Sequence, residues 1–392
     1  MSFDIALSGI QSINQQLNST SNNIANAGTY GFKSSRANFS AMYAGSRATG
    51  TEVGSITQSM SLNGGVLNTG RALDAAIDGR GYFVTRDAQN TMTYSRVGIF
   101  SASNEGKLID SNGRLVQGYA AVKGSTTLGT MGDMNIPTGQ IPAVASTKLA
   151  YAANMSSEWT IKTPAFDKTN ELSYNSAKSS IVYDSLGAKH SVGQYFVKTA
   201  TGVDVHYTLD NADLGTVTSM TFNTSGKLNM TAPVNLALGT PTGAAPLSIA
   251  IDYTGTTQFA GEATTSTDRA DGYASGTYTG VELADDGSVV AKYTNGQKQS
   301  IGVIALATFP DEGALTAVND TSWVASTTSG TAMYDRPGVG MAGKLTTSSL
   351  EQSNVDITSE LVGLMTSQRN YQANSKVIST ENAMLQSLMQ AL

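Results

Sequence analysis

Both ends of the chain carry apolar residues separated by alternating steps of three and four positions. This spacing predicts an α-helix whose apolar seam packs against a partner helix, as in a coiled coil. The N-terminal seam consists of Phe3, Ala6, Ile10, Ile13, Leu17, Thr20 and Ile24. The C-terminal seam consists of Leu361, Leu364, Gln368, Tyr371, Ser375, Ile378, Asn382, Leu385, Met389 and Leu392. We therefore predict one discontinuous α-helical coiled-coil domain from residues 1–32 and 354–392, with Asn354 or Asp356 capping the second helix.

The region between these helices, about residues 50–345, has the pattern of short β-strands separated by turns. Residues 107–119 form two alternating segments around Asn112-Gly113, a pair that readily adopts the positive φ angles of a tight turn. Residues 280–309 repeat this pattern, with Asp-Gly and Asn-Gly pairs between the segments. The sequence therefore predicts mainly β structure between the two helical ends.

The composition changes within this β region. Residues 146–273 are rich in Thr, Ser, Gly and Ala, which favours a separate outer β domain. The residues on either side, 70–145 and 274–353, predict an inner β domain into which the outer one is inserted. Residues 33–69 lack a clear period and predict an extended linker. Three apolar side chains in that linker either pack on the chain's own β domain or contact another subunit: Phe39, Met42 and Tyr43.

Charge and hydropathy exclude two classes of partner. The 392 residues carry a net charge of −6, with only 24 Lys plus Arg and no basic cluster, so binding to nucleic acid or to anionic lipid has no electrostatic basis. No apolar run approaches the roughly 18 residues of a membrane span. The first residues do not resemble a secretory leader, because Asp4 stands where basic residues belong. We expect no nucleic-acid partner, no membrane insertion and no cleaved signal peptide.

Catalytic and metal-binding patterns are weak. The chain has no cysteine and only two histidines, His190 and His206, which argues against a metal site built on either residue type. The segment GVGMAG (338–343) matches a dinucleotide-binding pattern, but the strand before it and the helix after it that such a site needs are not predicted. The carboxylate pairs at 285–286 and 311–312 fall in turns, where Asp bonds its own backbone. We expect no catalytic residue, metal or cofactor.

The segment SNNIANAGTYGFK (21–33) crowds amides, glycines and aromatic rings into one turn after the first seam. We interpret it as a hinge between helix and linker rather than a catalytic loop. Gly28 is placed to close the helix in a left-handed conformation, and Gly31 to allow a second change of direction. The amides can bond backbone groups freed there or on another subunit, and the aromatic rings can wedge against an adjacent chain. The candidate hinge residues are Asn22, Asn23, Asn26, Gly28, Tyr30, Gly31 and Phe32.

Both ends of the chain resemble the signatures of the flagellar axial rod and hook proteins. Residues 8–33 are similar to the N-terminal signature of that family, and residues 350–392, with their Gln-Arg-Asn-Tyr-Gln-Ala-Asn centre, to its C-terminal signature. Residues 69–86, 94–119 and 280–309 also resemble its first β domain. The length and the inserted block favour the hook members over the shorter distal rod members. The alternatives are a distal rod or other axial protein and, in a different class, a secreted β-rich adhesin or matrix protein.

The resemblance implies a structural subunit that is exported unfolded through the flagellar type III machinery with its chaperone-like factors. It implies an extracellular helical homopolymer that bends as a universal joint while it transmits torque from rod to filament. It also implies contacts with distal rod, hook cap and hook–filament junction proteins. In that polymer we expect the seams to form the inner core through Ile10, Ile13, Leu17, Ile24, Leu361, Leu364, Tyr371, Ile378 and Leu385.

Overall fold

Two long helices stand at the ends of the described chain, as the apolar spacing predicts. The computed structural model describes residues 2–122, 127–230 and 232–390. Helix α1 spans Ser2–Ala25 and helix α2 spans Ile357–Gln390. The predicted seam residue Leu392 lies outside the described residues.

Helix α2 begins at the second of the two predicted caps. The Asp356 carboxylate accepts a hydrogen bond from the backbone amide of Thr358 at 2.9 Å, which satisfies a donor left free in the first helical turn. The Asn354 side chain bonds elsewhere, because its amide donates to the carbonyls of Ser59 and Leu62, both at 3.0 Å. Asn354 therefore ties the start of α2 to another part of the chain instead of capping it.

Most of the described residues between the helices are in β-strands or turns. The first strands are β1 (Ser35–Ala44), β2 (Arg47–Gln58), β3 (Val66–Asn68), β4 (Ala75–Asp78), β5 (Tyr82–Arg86), β6 (Met92–Ser95), β7 (Phe100–Ala102), β8 (Leu108–Asp110), β9 (Leu115–Ala121) and β10 (Leu128–Asp133). The next are β11 (Lys148–Asn154), β12 (Ser176–Tyr183), β13 (Lys189–Lys198), β14 (Val203–Leu209), β15 (Ala212–Met220), β16 (Val234–Gly239), β17 (Leu247–Asp252) and β18 (Thr264–Ala270). The last are β19 (Tyr278–Leu283), β20 (Ser288–Tyr293), β21 (Lys298–Ile304), β22 (Leu306–Thr308), β23 (Thr316–Val318), β24 (Ser322–Val324), β25 (Met333–Asp335), β26 (Lys344–Thr347) and β27 (Ser349–Glu351).

The chain divides into two compact units. Unit 1 combines Met1–Thr138, Gly280–Lys292 and Lys298–Leu392, and unit 2 combines Gly139–Thr279 and Tyr293–Gln297. Unit 2 contains the whole block predicted as the outer β domain and extends beyond it on both sides.

Unit 1 is built on a 13-stranded sheet whose main path runs β19-β20-β21-β9-β5-β6-β24-β23. Its aromatic core packs edge to face: the Tyr82 ring lies 5.7 Å from the Trp323 ring, and the Tyr94 ring lies 4.8 Å from the Phe309 ring. Two small sheets, β26-β4 and β27-β3, pair residues after 343 with residues before 79. The core cluster comprises Met60, Tyr82, Val84, Tyr94, Ala305, Ala307, Phe309 and Trp323.

The two turn-based predictions are confirmed. Strands β8 and β9 are adjacent and antiparallel, and the turn between them places Gly113 at φ 79°. Strands β20 and β21 pair antiparallel from Ser288 with Val303 to Lys292 with Lys298. In both places the glycine of the turn takes the left-handed conformation that an L side chain disfavours.

The extended linker predicted for residues 33–69 is corrected by the structure. Strands β1 and β2 form an antiparallel hairpin, and β3 pairs with β27. The hairpin contains mainly small and polar residues, so its strands show no apolar alternation. Its stability comes from cross-strand bonds, such as the Asn38 amide to Ser55 Oγ (3.1 Å) and Thr57 Oγ1 (3.0 Å), and from packing on α1.

Unit 2 contains two four-stranded sheets that share one core. Their strand orders are β16-β17-β11-β18 and β12-β13-β14-β15. A polar network crosses this core: Tyr253 Oη donates to Gln194 Oε1 at 2.6 Å and lies 3.0 Å from Tyr207 Oη. All three side chains are buried, and linked hydrogen bonds in such an environment strengthen one another. The apolar members of the core include Leu149, Tyr151, Val182, Val192, Phe196, Val205, Leu236, Ile249 and Ile251.

One histidine of unit 2 lies between two carboxylates. His190 Nδ1 is 2.6 Å from Asp210 Oδ2, and His190 Nε2 is 3.3 Å from Asp184 Oδ2. The hydrogen bond with Asp210 is the main cause that raises the pKa of His190 above its ordinary value of 6.5. The other histidine, His206, stacks on Phe166 at 4.0 Å, and burial lowers its pKa.

These opposite shifts predict opposite pH dependence of stability for two matched variants. A raised folded-state pKa means that His190 contributes stability fully below pH 6.5 and loses it as the pH rises through the folded-state pKa. We expect His190→Asn to destabilise the chain more at pH 5.5 than at pH 9, by up to about 1 kcal/mol. The matched variant His206→Asn should show the reverse trend, because it removes a group that resists protonation in the folded state. Urea unfolding at the two pH values measures both, and parallel behaviour of the variants would contradict this assignment.

Candidate assembly interface at the chain ends

Helices α1 and α2 lie antiparallel against each other in unit 1. The Asn23 amide donates to Glu360 Oε1 at 2.8 Å, and a Cβ placed on Gly9 would lie 3.1 Å from Asn374 Oδ1. Asn23 and Gly9 are fourteen residues apart on α1, and their partners Glu360 and Asn374 are fourteen residues apart on α2 in the opposite direction. The two helices therefore run antiparallel in one constant register. The predicted contact between the two chain ends is confirmed.

The seam residues are only partly covered in one chain. Those that are half-buried are Ile10, Ile13, Leu17, Ile24, Leu364 and Ile378. Those that stay exposed are Leu361, Tyr371 and Leu385. The fully buried positions of α1 are mostly small or polar, for example Ala6, Ser12 and Thr20, and such residues let neighbouring elements approach closely. Part of the apolar seam is therefore left open to solvent by the residues that the structure describes.

The β1–β2 hairpin covers another side of α1. Ser12 Oγ donates to the Thr51 carbonyl at 3.2 Å, and Ser19 Oγ donates to the Ser35 carbonyl at 3.0 Å. Hydroxyl groups on α1 thus fix the position of the hairpin. The three predicted linker anchors lie on this hairpin and remain exposed by 47%, 38% and 66%, respectively: Phe39, Met42 and Tyr43.

The hinge after α1 turns at Gly31, not at Gly28. Gly31 has φ 66°, whereas Gly28 is absent from the left-handed region. The helix ends at Ala25 and continues as hydrogen-bonded turns, with the Thr29 amide donating to the Asn26 carbonyl at 3.0 Å. No left-handed residue is needed there, because these turns satisfy the freed carbonyls. A Cβ on Gly31 would lie 3.0 Å from the Arg96 backbone carbon, whereas nothing lies within 4 Å of one on Gly28.

Two of the three hinge amide side chains, those of Asn23 and Asn26, bond the backbone. Asn23 mimics a neighbouring strand: its amide donates to the Ser35 carbonyl at 2.8 Å, and its Oδ1 accepts from the Ser35 amide at 2.9 Å. The Asn26 side chain donates to the Asn22 carbonyl at 2.9 Å, which ties down the last turn of α1. The structure therefore places Asn22, Asn23 and Asn26 at one helix end, where Asn23 also reaches α2.

The two aromatic hinge residues lie near the start of α2. The Phe32 carbonyl accepts from the Asn354 amide at 3.3 Å, and Asn354 Oδ1 accepts from the Ser34 amide at 2.7 Å. The side chains of Tyr30 and Phe32 are half-buried in the single chain. The hinge is thus fastened to the residues before α2 by backbone and amide bonds, and each ring keeps part of its surface in solvent.

A buried charge cluster, formed by Lys33, Glu351 and Arg96, joins the hinge to the far end of the chain. Lys33 Nζ donates to Glu351 Oε1 at 2.8 Å and to the Leu62 carbonyl at 2.7 Å. Arg96 Nε lies 3.2 Å from Glu351 Oε2 as an ion pair without hydrogen-bond geometry. Its guanidinium also donates to the Gly81 carbonyl at 3.0 Å. The three charged residues are only 1–2% exposed.

Burial dominates the electrostatics of this cluster. Loss of solvent lowers the pKa of Lys33, and the nearby Glu351 carboxylate only partly opposes that effect. The sequence alone does not indicate the cluster, because Lys33 stands out there only as the last residue of the hinge segment. The one available signal was a charge standing alone after a charge-free stretch, residues 5–32. Its partners lie 63 and 318 positions away along the chain, beyond any local pattern.

Three sequence patterns that suggest chemistry can be compared with the described residues. They contain no group of three or more His, Cys, Asp or Glu side chains that could hold a metal ion. The GVGMAG segment is followed by β26, not by the helix that a dinucleotide site needs. The Asp286 carboxylate accepts from the Ser288 amide at 2.9 Å and the Asp311 carboxylate from the Gly313 amide at 3.0 Å, as predicted for turns. No helix within the described ranges is long and apolar enough to cross a membrane.

The two hinge glycines give a matched pair of variants. We expect Gly31→Ala to lower the free energy of unfolding by about 1–3 kcal/mol, because it forces a side chain into a left-handed conformation and against the Arg96 backbone. Gly28→Ala, which adds a methyl group in open space at an ordinary φ, should change stability by less than about 0.5 kcal/mol. Denaturant unfolding of the two variants tests this, and equal effects would argue against the hinge geometry.

The buried carboxylate should be more costly to neutralise than an exposed one. Glu351→Gln leaves Lys33 and Arg96 buried with no counter-charge, so we expect a loss of about 3–5 kcal/mol in unfolding free energy. The loss should shrink as the pH rises, because Lys33 can release its proton. The control, Glu105→Gln, changes an exposed carboxylate and should have little effect. A Glu351→Gln variant as stable as Glu105→Gln at neutral pH would refute the role of the cluster.

Three family models match three different parts of the chain. The flagellar hook protein FlgE/F/G D1 domain matches residues 76–155, and the flagellar basal body protein FlaE D2 domain matches residues 153–273. The flagellar basal body rod FlgEFG protein C-terminal model matches residues 346–391. The matches therefore include both β regions and the helical C-terminal end.

Relatives that match the chain over almost its whole length include flagellar hook proteins. The flagellar hook proteins FlgE of Salmonella typhimurium and of Escherichia coli are each 35% identical to the chain, and each match covers 99% of both sequences. The flagellar hook protein FlgE of Brucella suis is 32% identical over 98% of the chain and 96% of its own length.

A solved structure supports the fold. The flagellar hook protein FlgE2 of Helicobacter pylori superimposes with a TM-score of 0.54 over 73% of this chain and all of that one, at 12% identity. Such low identity bears on the fold alone, and the family assignment comes from the relatives that match almost end to end. On that full-length similarity, this chain belongs to the flagellar hook protein FlgE family.

Proposed function

We propose that this chain is the structural subunit that polymerises into the tube of the flagellar hook, with α1 and α2 of each copy forming its inner core. The observation that carries the proposal is the uncovered seam of α2, where Leu361, Tyr371 and Leu385 stay exposed. Amphipathic helices gain most of their stability from packing of the apolar face. Other copies of the chain would supply that packing, in the manner of a coiled coil.

The hinge and the hairpin are the further contact points in this proposal. Phe39, Met42 and Tyr43 are each exposed on the β1–β2 hairpin, and exposed apolar surface of this kind is available for contacts with another copy. At the other end of α1, Tyr30 and Phe32 supply additional half-buried surface. We place adjacent copies against these residues, so that each hinge is held both by its own chain and by a neighbour.

Bending with torque transmission is the mechanical part of the proposal. Unit 2, inserted as an outer β domain, and the sheet of unit 1 act as rigid bodies, and the neutral surfaces of the chain exchange weak contacts as the tube bends. The chain carries 14% charged residues, well below the usual quarter. Contacts made by Ser, Thr, Asn and Gly are therefore the main polar ones available for sliding. This is the behaviour of a universal joint.

Location and partners follow from the same assignment. We place the polymer outside the cell, between the distal rod and the hook–filament junction proteins, growing under a cap protein. The subunit would be exported unfolded by the type III machinery and its chaperone-like factors. The alternatives of a distal rod protein or a secreted adhesin are less favoured, since the relatives that match end to end are hook proteins.

Deletion of α2 tests the proposal. At high concentration the full chain should form tubes of uniform diameter in electron micrographs. A chain ending at residue 356 should remain a monomer in sedimentation, because it lacks one of the two seams. Circular dichroism must show that the truncated chain keeps its β structure. Tubes from the truncated chain, or their absence from the full chain, would count against the proposed function.

A further inference from the structure

A groove in unit 1 is lined by α1, α2 and the β1–β2 hairpin. Its volume is about 520 Å³, in the range of cavities that hold apolar groups of some size. The floor and walls are mainly apolar, with Ile5 and Ile13 from α1, Phe39 and Ala48 from the hairpin, and Ala373 from α2. Among the described residues its lining carries no charge, and its polar side chains are Ser12, Thr51, Asn370 and Asn374. The groove therefore favours an apolar occupant.

The two helices differ in length, and their register leaves one end of α2 without α1 opposite it. Helix α1 has 24 residues and α2 has 34. Gly9 lies opposite Asn374, so the same antiparallel register places Ser2 opposite residue 381. Residues 382–390 of α2 therefore have no described residue of α1 facing them. We call this part of α2 the overhang.

The overhang carries an exposed apolar stripe. Its four members occupy positions i, i+1, i+4 and i+5, which fall on one face of a helix. They are exposed by 60%, 51%, 61% and 77%, respectively: Met384, Leu385, Leu388 and Met389. Two of the four are methionines, whose flexible side chains adapt to irregular apolar cavities.

The stripe cannot reach the groove of its own chain. Met384 and Met389 lie 10 and 15 residues beyond Asn374 in one uninterrupted helix, which is ~15–22 Å along the axis. A continuous helix does not fold back on itself. The groove and the stripe are thus complementary in chemistry, belong to every copy and cannot meet within one copy.

We propose that the stripe of one copy fills the groove of a second copy. The inference rests on the proposed function, since it names the contact that joins subunits. The contact is heterologous, because groove and stripe are different surfaces, and such contacts repeat head to tail into open helical polymers unless the rotation closes a ring. With α2 helices parallel, the two copies would be offset by ~18 Å, the axial distance from residue 374 to residue 386.

Disulfide trapping tests the contact directly, because the natural chain has no cysteine. Ala48→Cys in one preparation is mixed with Leu385→Cys, Leu388→Cys or Met389→Cys in another, and the mixture is oxidised after it polymerises. At least one pairing should give a covalent heterodimer, since a disulfide needs Cβ atoms ~3.5–4.5 Å apart. The matched control is Ala383→Cys, which is exposed on the opposite face of the overhang and should give at least tenfold less heterodimer.

Polymerisation supplies the second readout. Leu388→Ser with Met389→Ser should raise the critical concentration for tube formation at least tenfold, and Ala383→Ser should leave it unchanged. Filling the groove by Ala48→Phe should act like loss of the stripe, whereas Ala44→Phe, elsewhere on the hairpin, should not.

The outcomes separate this inference from the proposed function. If the unmodified chain forms tubes but the stripe positions trap no better than Ala383→Cys, the docking is wrong and the hook function stands. If tubes form with normal critical concentration from the Leu388→Ser, Met389→Ser variant, the docking is likewise wrong. If the unmodified chain forms no tubes at all, the proposed function fails and this contact fails with it.

Discussion

The buried pairing of Lys33 with Glu351, beside Arg96, is the interaction on which the arrangement of the chain ends depends. The cluster is out of solvent, and a buried charge without its partner is costly. The segments that carry Lys33, Arg96 and Glu351 therefore depend on one another for their positions. Glu351 also accepts from the Gly64 amide at 3.1 Å, and its carbonyl accepts from the Gly31 amide at 2.8 Å. One glutamate thus fixes the hinge, a loop and the approach to α2 together.

Local patterns were sufficient for part of the fold. Three- and four-residue spacing located both helices, and glycine-containing turns located the β8–β9 and β20–β21 hairpins, because each signal reflects the backbone geometry of the residues that carry it. The contact between the helices also followed, since each seam needed an apolar partner.

The remaining features depend on distant contacts, which a local pattern cannot contain. The β1–β2 hairpin is held by hydroxyl and amide bonds to α1, so its strands lack the apolar alternation that identifies a half-buried strand. Gly28 and Gly31 look equivalent in the sequence, and only the neighbouring Arg96 backbone and the conformation of the hinge decide which one must be glycine. The charge cluster is the extreme case, since it joins residues from opposite ends of the chain.

Polar and apolar contacts have different tasks in this interface. Within the chain, directional bonds set the register, namely Asn23 with Glu360 and Ser12 with the Thr51 carbonyl. The close approach of Gly9 to Asn374 fits the same register. Hydrogen bonds weaken steeply when geometry changes, so they hold one arrangement. The exposed surface of α2 mixes polar residues with apolar ones such as Leu361, Met384 and Leu388. The hydrophobic attraction of the apolar part is non-directional and proportional to the area removed from water.

That division would suit the proposed polymer, which would have to stay assembled while it changes shape. Contacts between copies that rely on apolar area can shift by small amounts with little change in free energy, whereas the polar contacts inside each copy keep its two helices in register. The unequal helix lengths follow the same logic. In the proposed docking, the longer α2 would leave its apolar end for another copy, whereas an α1 of equal length would cover that end.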